Sequence, residues 1–254
     1  MSVNLYFIGN AGCGKSSLTS AFKNWMQSNG FSCATVNLDP GVEWLPYSPD
    51  VDVRDWINLN SVMQRFGVGP NGAQIVSADL LALEIGKIKD AMEELRVDYY
   101  LIDTPGQMEL FTLRESSNFV VEALGKQKSL LVFLFEPTIS IKPQGFIALL
   151  LQSLSAQFRL DLPLIPILSK VDLLKQEDIE NVLLWGSDPT TLYEALTREG
   201  SMTANMNIEL FRVLETLDIF QNLKPVSAET GYGIVDIYSQ VQFIFFGSED
   251  LSKD

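Results

Sequence analysis

Histidine is absent from this sequence. Its absence excludes Ser-His-Asp and Cys-His triads, histidine zinc sites and imidazole general bases. Any chemistry must therefore use carboxylates, lysine, amides, backbone groups and a hard cation. Cysteine is nearly absent: Cys13 falls in a glycine-rich loop and Cys33 in a predicted buried strand. That leaves no disulfide framework and no thiolate metal site. Positive charge is scarce, with 18 Lys and Arg against 32 Asp and Glu and a net charge of −14. A field of that sign argues against direct nucleic-acid binding. It also opposes polyanionic ligands at long range, so any phosphate site must overcome it locally. No apolar run is long enough to span a bilayer, and no signal-peptide pattern precedes the first strand. A soluble, cytoplasmic protein with no membrane partner is expected. Internal repeats and low-complexity segments are also missing. The 46% hydrophobic content suits one folded domain over residues 1–247, followed by an acidic tail at 248–254.

What is present begins with Gly9-Asn10-Ala11-Gly12-Cys13-Gly14-Lys15-Ser16 and then Ser17. The stretch follows an apolar run, Val3 to Ile8, and opens a helical pattern from about Lys15 to Ser28. A strand before and a helix after are the context required by a phosphate-binding loop of the G-x-x-x-x-G-K-[ST] type. Glycines let the backbone wrap an anion, and loop N–H groups and the helix N-terminus point at it. Lys15 would reach the outer phosphates, and the Ser16 hydroxyl would ligate Mg²⁺. The bland alternative is the glycine-rich turn of a dinucleotide fold.

A second strand, Phe31 to Leu38, is predicted to end at Asp39-Pro40, which puts a carboxylate at the sheet edge where α/β proteins bind ligands. Ordinary Asp-Pro turn chemistry is the competing reading of Asp39. Asp50, Asp52, Arg54 and Asp55 read as a charged turn that caps a short helix and pairs internally; a phosphate contact from Arg54 is the minor alternative. A helix over about 60–66 should break at Gly67. Gly69-Pro70-Asn71-Gly72 reads as a tight turn, and a helix is predicted from about Ser77 to Leu95.

The strand Val97 to Ile102 runs into Asp103-Thr104-Pro105-Gly106-Gln107. Its Asp can hold Mg²⁺, the Gly106 N–H can sense a γ-phosphate, and Gln107 stands where an attacking water must be oriented. The alternative is a plain strand-to-helix turn with Asp103 as the cap. Further elements are predicted: a helix over about 108–124, a buried strand Ser129 to Phe135, a helix from Pro143 to Phe158 and a strand Leu164 to Leu168. That last strand closes in Ser169-Lys170-Val171-Asp172. A carboxylate such as Asp172 can accept from the guanine ring N–H and exocyclic amine together, a donor pair adenine lacks. Ser169 replaces the usual Asn, so a side-chain amide that braces the phosphate loop is missing. Residues Leu173 to Leu217 form a helical insertion, with breaks at Trp185 to Pro189 and at Gly200. Its apolar stripes (Leu192, Leu196, Met202, Met206) read as core in preference to a recognition groove. A last strand, Asn222 to Val226, precedes Ser227-Ala228-Glu229, placed for a backbone contact to guanine, and a helix Ile234 to Phe246. The fold class is α/β: a phosphate-loop NTPase with a mostly parallel central sheet flanked by helices.

Taken in order, these motifs, together with Gly69-Pro70-Asn71, Asn37-Leu38-Asp39-Pro40 and Asp103 to Glu109, resemble the GPN-loop GTPase family, in particular its compact archaeal members. The resemblance implies GTP and GDP as ligands, Mg²⁺ as cofactor and a homodimer in which the GPN loop of one subunit enters the other's site. It implies that Asn71 acts in trans, that Ser16, Asp39 and Asp103 serve the metal, and that Asp39, Gln107 and Glu109 position water. No arginine finger is evident. The resemblance also implies a protein client, related to RNA polymerase in eukaryotic members. A phosphate-loop kinase and a nucleotide-gated binding module with little turnover are the rival readings.

Overall fold

The structure, a computed structural model, describes residues 2–198, 204–217, 220 and 222–247. In chain order the elements are β1 (Val3–Gly9), α1 (Lys15–Ser28), β2 (Cys33–Asn37), β3 (Val51–Asp52), α2 (Leu59–Phe66), α3 (Pro70–Leu95) and β4 (Tyr99–Asp103). They continue with α4 (Glu109–Thr112), α5 (Glu115–Leu124), β5 (Ser129–Phe135), α6 (Pro137–Ser140), α7 (Pro143–Leu160) and β6 (Leu164–Leu168). Helices α8 (Gln176–Ser187), α9 (Pro189–Arg198) and α10 (Ala204–Thr216) precede β7 (Lys224–Pro225) and α11 (Ile234–Phe246).

The seven strands form one sheet in the order β3-β2-β4-β1-β5-β6-β7, and every pairing is parallel. Parallel strands covered on both faces read as unbroken apolar runs, which is why Val3–Gly9 and Ser129–Phe135 are buried along their whole length. Side chains alternate across the sheet. Val3, Leu5 and Phe7 join the core under α1 and α11, while Tyr6 and Ile8 join the larger core under α3, α5 and α7. No helix among the described residues is long and apolar enough to cross a membrane.

Several boundaries differ from the sequence expectation. The expected Gly69–Gly72 turn and the helix from Ser77 are one helix, α3, which starts at Pro70. Proline costs nothing at a first helical position, because its missing N–H has no intrahelical partner there. Gly69 is the extended cap residue, and its carbonyl accepts the Ala73 N–H at 2.9 Å. The expected helix over 108–124 is two helices, α4 and α5, broken at Leu113 and Arg114. The break is fastened from outside: Arg159 on α7 donates to the carbonyls of Thr112 and Leu113, and Arg114 pairs with Asp79 on α3. The expected strand Phe31–Leu38 shortens to Cys33–Asn37, and the last strand keeps only Lys224 and Pro225. Helix α8 runs through Trp185 and stops at Asp188. In the insertion Leu192 and Leu196 are core, whereas Met206 is exposed. Met202, the break at Gly200 and the tail at 248–254 lie outside the described residues.

The charged stretch 50–55 contains a strand that the sequence reading missed, β3, parallel to β2. Asp50 turns away from Arg54 and joins β2 to α1: its Oδ2 accepts from the Thr35 N–H (2.7 Å), the Thr35 hydroxyl (2.9 Å) and Lys23 Nζ (2.7 Å). Burial pushes this carboxyl up, but Lys23 and Thr35 outweigh it and hold Asp50 below its ordinary value. Its contribution is therefore present above the unfolded carboxylate value of about 3.9 and fades as pH falls through the lower folded value. Asp50→Asn is expected to cost about 1 kcal/mol at pH 7, since the pair is partly screened. Thermal melts of both proteins should converge as the pH falls below about 3.9. A constant difference between them would refute this assignment.

Candidate active site

The register places the ends of β2 and β4 level, Asn37 beside Asp103, while Phe7 of β1 also pairs with Asp103 and its strand runs on to Gly9. The loops that follow these strands therefore open at one sheet edge. They enclose a cavity of about 320 Å³ lined by Gly12, Gly14, Lys15, Ser16, Ser17, Asp39, Val42, Leu45, Asp103, Thr104, Gly106 and Lys170.

Lys15 is buried at the start of α1 and its ammonium donates to three carbonyls: Gly9 (2.9 Å), Asn10 (3.1 Å) and Gly106 (3.0 Å). The phosphate-type loop is thus tied to the segment after β4. Thr104 reinforces that tie by donating its hydroxyl to the Phe7 carbonyl at 2.7 Å. The Gly106 N–H donates to Asp39 Oδ2 at 2.9 Å, and the Gly41 N–H to Asp39 Oδ1 at 2.8 Å. The peptide groups of Gly106 thus touch two motifs, Asp39 through nitrogen and Lys15 through oxygen.

Asp103 is almost fully buried at the end of β4. Its Oδ2 accepts from the Tyr47 hydroxyl at 3.0 Å, and its Oδ1 has no hydrogen-bond partner among the described residues. Burial pushes this carboxyl up to about 6, against the opposing pull of the nearby Ser16 hydroxyl, Tyr47 and Lys15. Burial and the Asp103 charge push the Tyr47 phenol up in turn, so it stays a donor. An almost fully buried aspartate at the wall of the cavity, with one carboxylate oxygen lacking a hydrogen-bond partner among the described residues and a serine hydroxyl nearby, fits a hard cation. No group of three His, Cys, Asp or Glu among the described residues could hold a metal unaided.

The Ser169–Asp172 side of the cavity is built differently from the expectation for Ser169. Its hydroxyl is buried and donates to the Phe135 carbonyl at 2.9 Å. The bracing of the phosphate-type loop comes from the next residue: Lys170 Nζ donates to the Gly12 carbonyl at 2.7 Å. Its stem lies over Gly14, where a Cβ would come within 3.1 Å of Lys170 Cε and where φ is +102°. Asp172 is exposed on the short turn Val171–Leu173. The Val171 N–H bonds the Val226 carbonyl (3.2 Å), which brings the Ser169–Asp172 loop next to Ser227 and Ala228.

Not every expected residue converges. Gln107 and Glu109 are exposed beyond Gly106, and Asn71 is exposed on the first turn of α3; none lines the cavity. Asn37, Arg54 and Tyr47 also contact this site, and of these the pairing of Arg54 with Asp52 at the cap of a short helical turn is the internal pairing expected of that charged stretch. Asn37 accepts the Asp39 N–H (3.0 Å) and donates to the Asp39 carbonyl (3.2 Å) and Asp52 (2.9 Å). Arg54 clamps Asp52 and donates to the Val42 carbonyl at 3.1 Å, so it supports the Asp39 segment and does not face a phosphate. Tyr47 reaches Asp103 across 56 residues. Only its place in a proline- and aromatic-containing loop after Asp39 could have drawn attention to it.

Fold and site together define a phosphate-binding-loop nucleotide-binding protein of the α/β class. Residues 7–246 match a family model described as a conserved hypothetical ATP binding protein. The chain is 35% identical to GPN-loop GTPase PAB0955 of Pyrococcus abyssi, over 91% of this chain and 92% of that one. It is 30% identical to GPN-loop GTPase 1 of Dictyostelium discoideum, over 94% of this chain but only 60% of that protein's length. The crystal structure of PAB0955, a GTPase in apo form, superposes with a TM-score of 0.82 at 33% identity, covering 94% of this chain and 96% of that one. The chain belongs to the GPN-loop GTPase family.

Proposed function

We propose that this chain is a Mg²⁺-dependent GTPase. The phosphates would lie on Gly9–Ser17 and the base against Lys170, Asp172 and the Ser227–Ala228 backbone. The observation that carries the reading is the convergence on Gly106, which joins Lys15 to Asp39 beside an Asp103 oxygen with no hydrogen-bond partner among the described residues. The reaction is in-line attack of water on the γ-phosphorus, with breakage of the bond to the bridging oxygen and departure of GDP. Positioning and charge stabilisation supply the catalysis. Lys15 would exchange carbonyl partners for phosphate oxygens. Asp39, oriented by the Gly41 and Gly106 N–H groups, would accept a hydrogen bond from the water. Gln107 and Glu109, next along the chain, would complete that network. Ser16 and Asp103, with Asp39 at the rim, would hold Mg²⁺, which supplies charge neutralisation at the β- and γ-phosphates.

Asn71 is exposed and does not line the cavity that holds Lys15 and Asp103, which supports a role in trans within a homodimer. The nucleotide state would then be felt by the dimer and, through it, by a protein client.

The family model's description and the relatives' names point to different nucleotides, and Asp172 is the residue that would decide between them. The test is phosphate release from GTP and from ATP, each with and without Mg²⁺. Mg²⁺-dependent release from GTP alone is expected. Equal use of ATP would refute the role given to Asp172. Tight GTP binding without release would favour a nucleotide-gated binding module, and transfer to an acceptor would favour a kinase. Asn71→Ala should lower kcat about 100-fold with little change in nucleotide affinity, the size expected for one transition-state donor. Full activity of a monomer carrying Asn71→Ala would overturn the role in trans.

A further inference from the structure

We infer that Tyr47 is a positioning residue for the cation site: its phenol holds the Asp103 carboxyl so that one oxygen is spent on the protein and the other would be left for the metal. The inference rests on the reading above that Asp103 serves Mg²⁺, and goes beyond it by assigning the residue that aims the carboxyl. A carboxyl group rotates easily about its last torsion, which is broad and roughly two-fold. In Asp103 one oxygen, Oδ2, accepts from Tyr47 at 3.0 Å. The other, Oδ1, is buried and has no hydrogen-bond partner among the described residues, with the Ser16 hydroxyl nearby. One donor on one oxygen is enough to hold the plane of the group.

A positioning residue has to be held itself, and Tyr47 is. It sits on a strap between β2 and β3 that is fastened on both sides. Upstream, Arg54 donates to the Val42 carbonyl at 3.1 Å. In the middle, the Ser20 hydroxyl on α1 donates to the Pro46 carbonyl at 3.3 Å. Downstream, Lys23 on α1 pairs with Asp50 at 2.7 Å. The same strap supplies Val42 and Leu45 to the wall of the cavity. The helix that begins in the phosphate-type loop therefore anchors the segment that aims the metal carboxylate. Partners behind a ligand commonly govern metal affinity by about 10–100-fold, because they fix ligand orientation.

The experiment is the release rate of a fluorescent GDP analogue, followed by stopped flow across a Mg²⁺ titration. The variants are Tyr47→Phe, Asp103→Asn and the double substitution. Phe keeps the ring and removes the donor. The Mg²⁺ midpoint of Tyr47→Phe is expected to rise about tenfold, within the range for such partners, while the rate without Mg²⁺ stays at the wild-type value. In the Asp103→Asn background Tyr47→Phe should add nothing. A thermal melt without nucleotide checks that each variant is folded. Equal midpoints for wild type and folded Tyr47→Phe would overturn the inference while leaving the cation reading intact. Wild-type release that ignores Mg²⁺ would overturn both. An added loss in the Asp103→Asn background would show that Tyr47 acts by another route, and would also overturn it.

Discussion

Lys15→Ala is expected to lower kcat/KM for GTP hydrolysis by about 1000-fold, the upper range for losing one preorganised electrostatic group. Lys15 is the cation that lies within the phosphate-type loop, and its ammonium is already aimed into the cavity by three carbonyls. Removal has two consequences. On the proposed reading, the phosphates would lose a charge-assisted donor in a partly water-excluded site, where such a bond is about twice as strong as a neutral one. The tie between Gly9 and Gly106 is also cut, so Asp39, which hangs from the Gly106 N–H, loses its register with the loop. Lys15→Arg should not rescue, because a planar fork cannot satisfy carbonyls arranged for a compact ammonium. Lys170→Ala is the useful contrast. Lys170 sits at the rim with one bond, to the Gly12 carbonyl, so a loss nearer tenfold is expected, mostly in nucleotide affinity. Steady-state phosphate release and equilibrium binding separate the two. Comparable losses for Lys15→Ala and Lys170→Ala would show that the buried ammonium has no special part.

The largest stability effect is expected at Gly233. This residue caps α11 with φ +75°, and a Cβ built on it would stand 2.0 Å from the Pro225 carbonyl oxygen. The loop above it is tightly wound. The Ser227 N–H bonds the Tyr232 carbonyl, the Gly231 N–H bonds the Ser227 carbonyl, and the Thr230 N–H bonds the Ser227 hydroxyl. Gly233→Ala therefore cannot be relieved by rotating a side chain; β7 or the whole loop must move. A loss above about 4 kcal/mol is expected, in the range reserved for severe clashes, with Tm lowered by about 10 °C or more. Gly231→Ala is the control. Gly231 also has positive φ (+77°), but nothing lies within 4 Å of its Cβ position. Only the left-handed strain of about 1–2 kcal/mol applies there. Equal melting points for the two variants would mean that the loop at Gly233 is free to shift. Because that loop carries Ser227 and Ala228, any folded fraction of Gly233→Ala should also bind guanine nucleotide less well.

Much of this molecule was legible in local chemistry. The strands Val3–Gly9 and Ser129–Phe135 announce themselves as apolar runs, and α1 begins at the lysine that ends the glycine-rich motif. The positions of Asp39 and Asp103 at the sheet edge follow from strands that stop at Asp-Pro and Asp-Thr-Pro, and the parallel register then brings both to the same edge, with Asp103 beside Asn37. Where the local reading failed, a distant group decided. The break between α4 and α5 is held by Arg159 on α7 and by Asp79 on α3, neither of which leaves a mark in residues 108–124. β3 exists because Asp50 finds Thr35 and Lys23, although its own neighbours suggested a charged turn. Pro70 belongs to a helix rather than a turn because the chain continues into a face that buries Ala73 and Ser77. Sequence alone determined which residues carry charge, which backbone positions tolerate a wrapped loop, and the order in which the motifs arrive. Tertiary structure decided which of them meet. Tyr47 meets Asp103, Lys170 takes over the bracing once expected of residue 169, and Gln107, Glu109 and Asn71 stay outside the cavity. The physical reason is range: helix period, proline and glycine act over a few residues, whereas a hydrogen bond across 56 or 158 residues exists only once the sheet has brought its ends together.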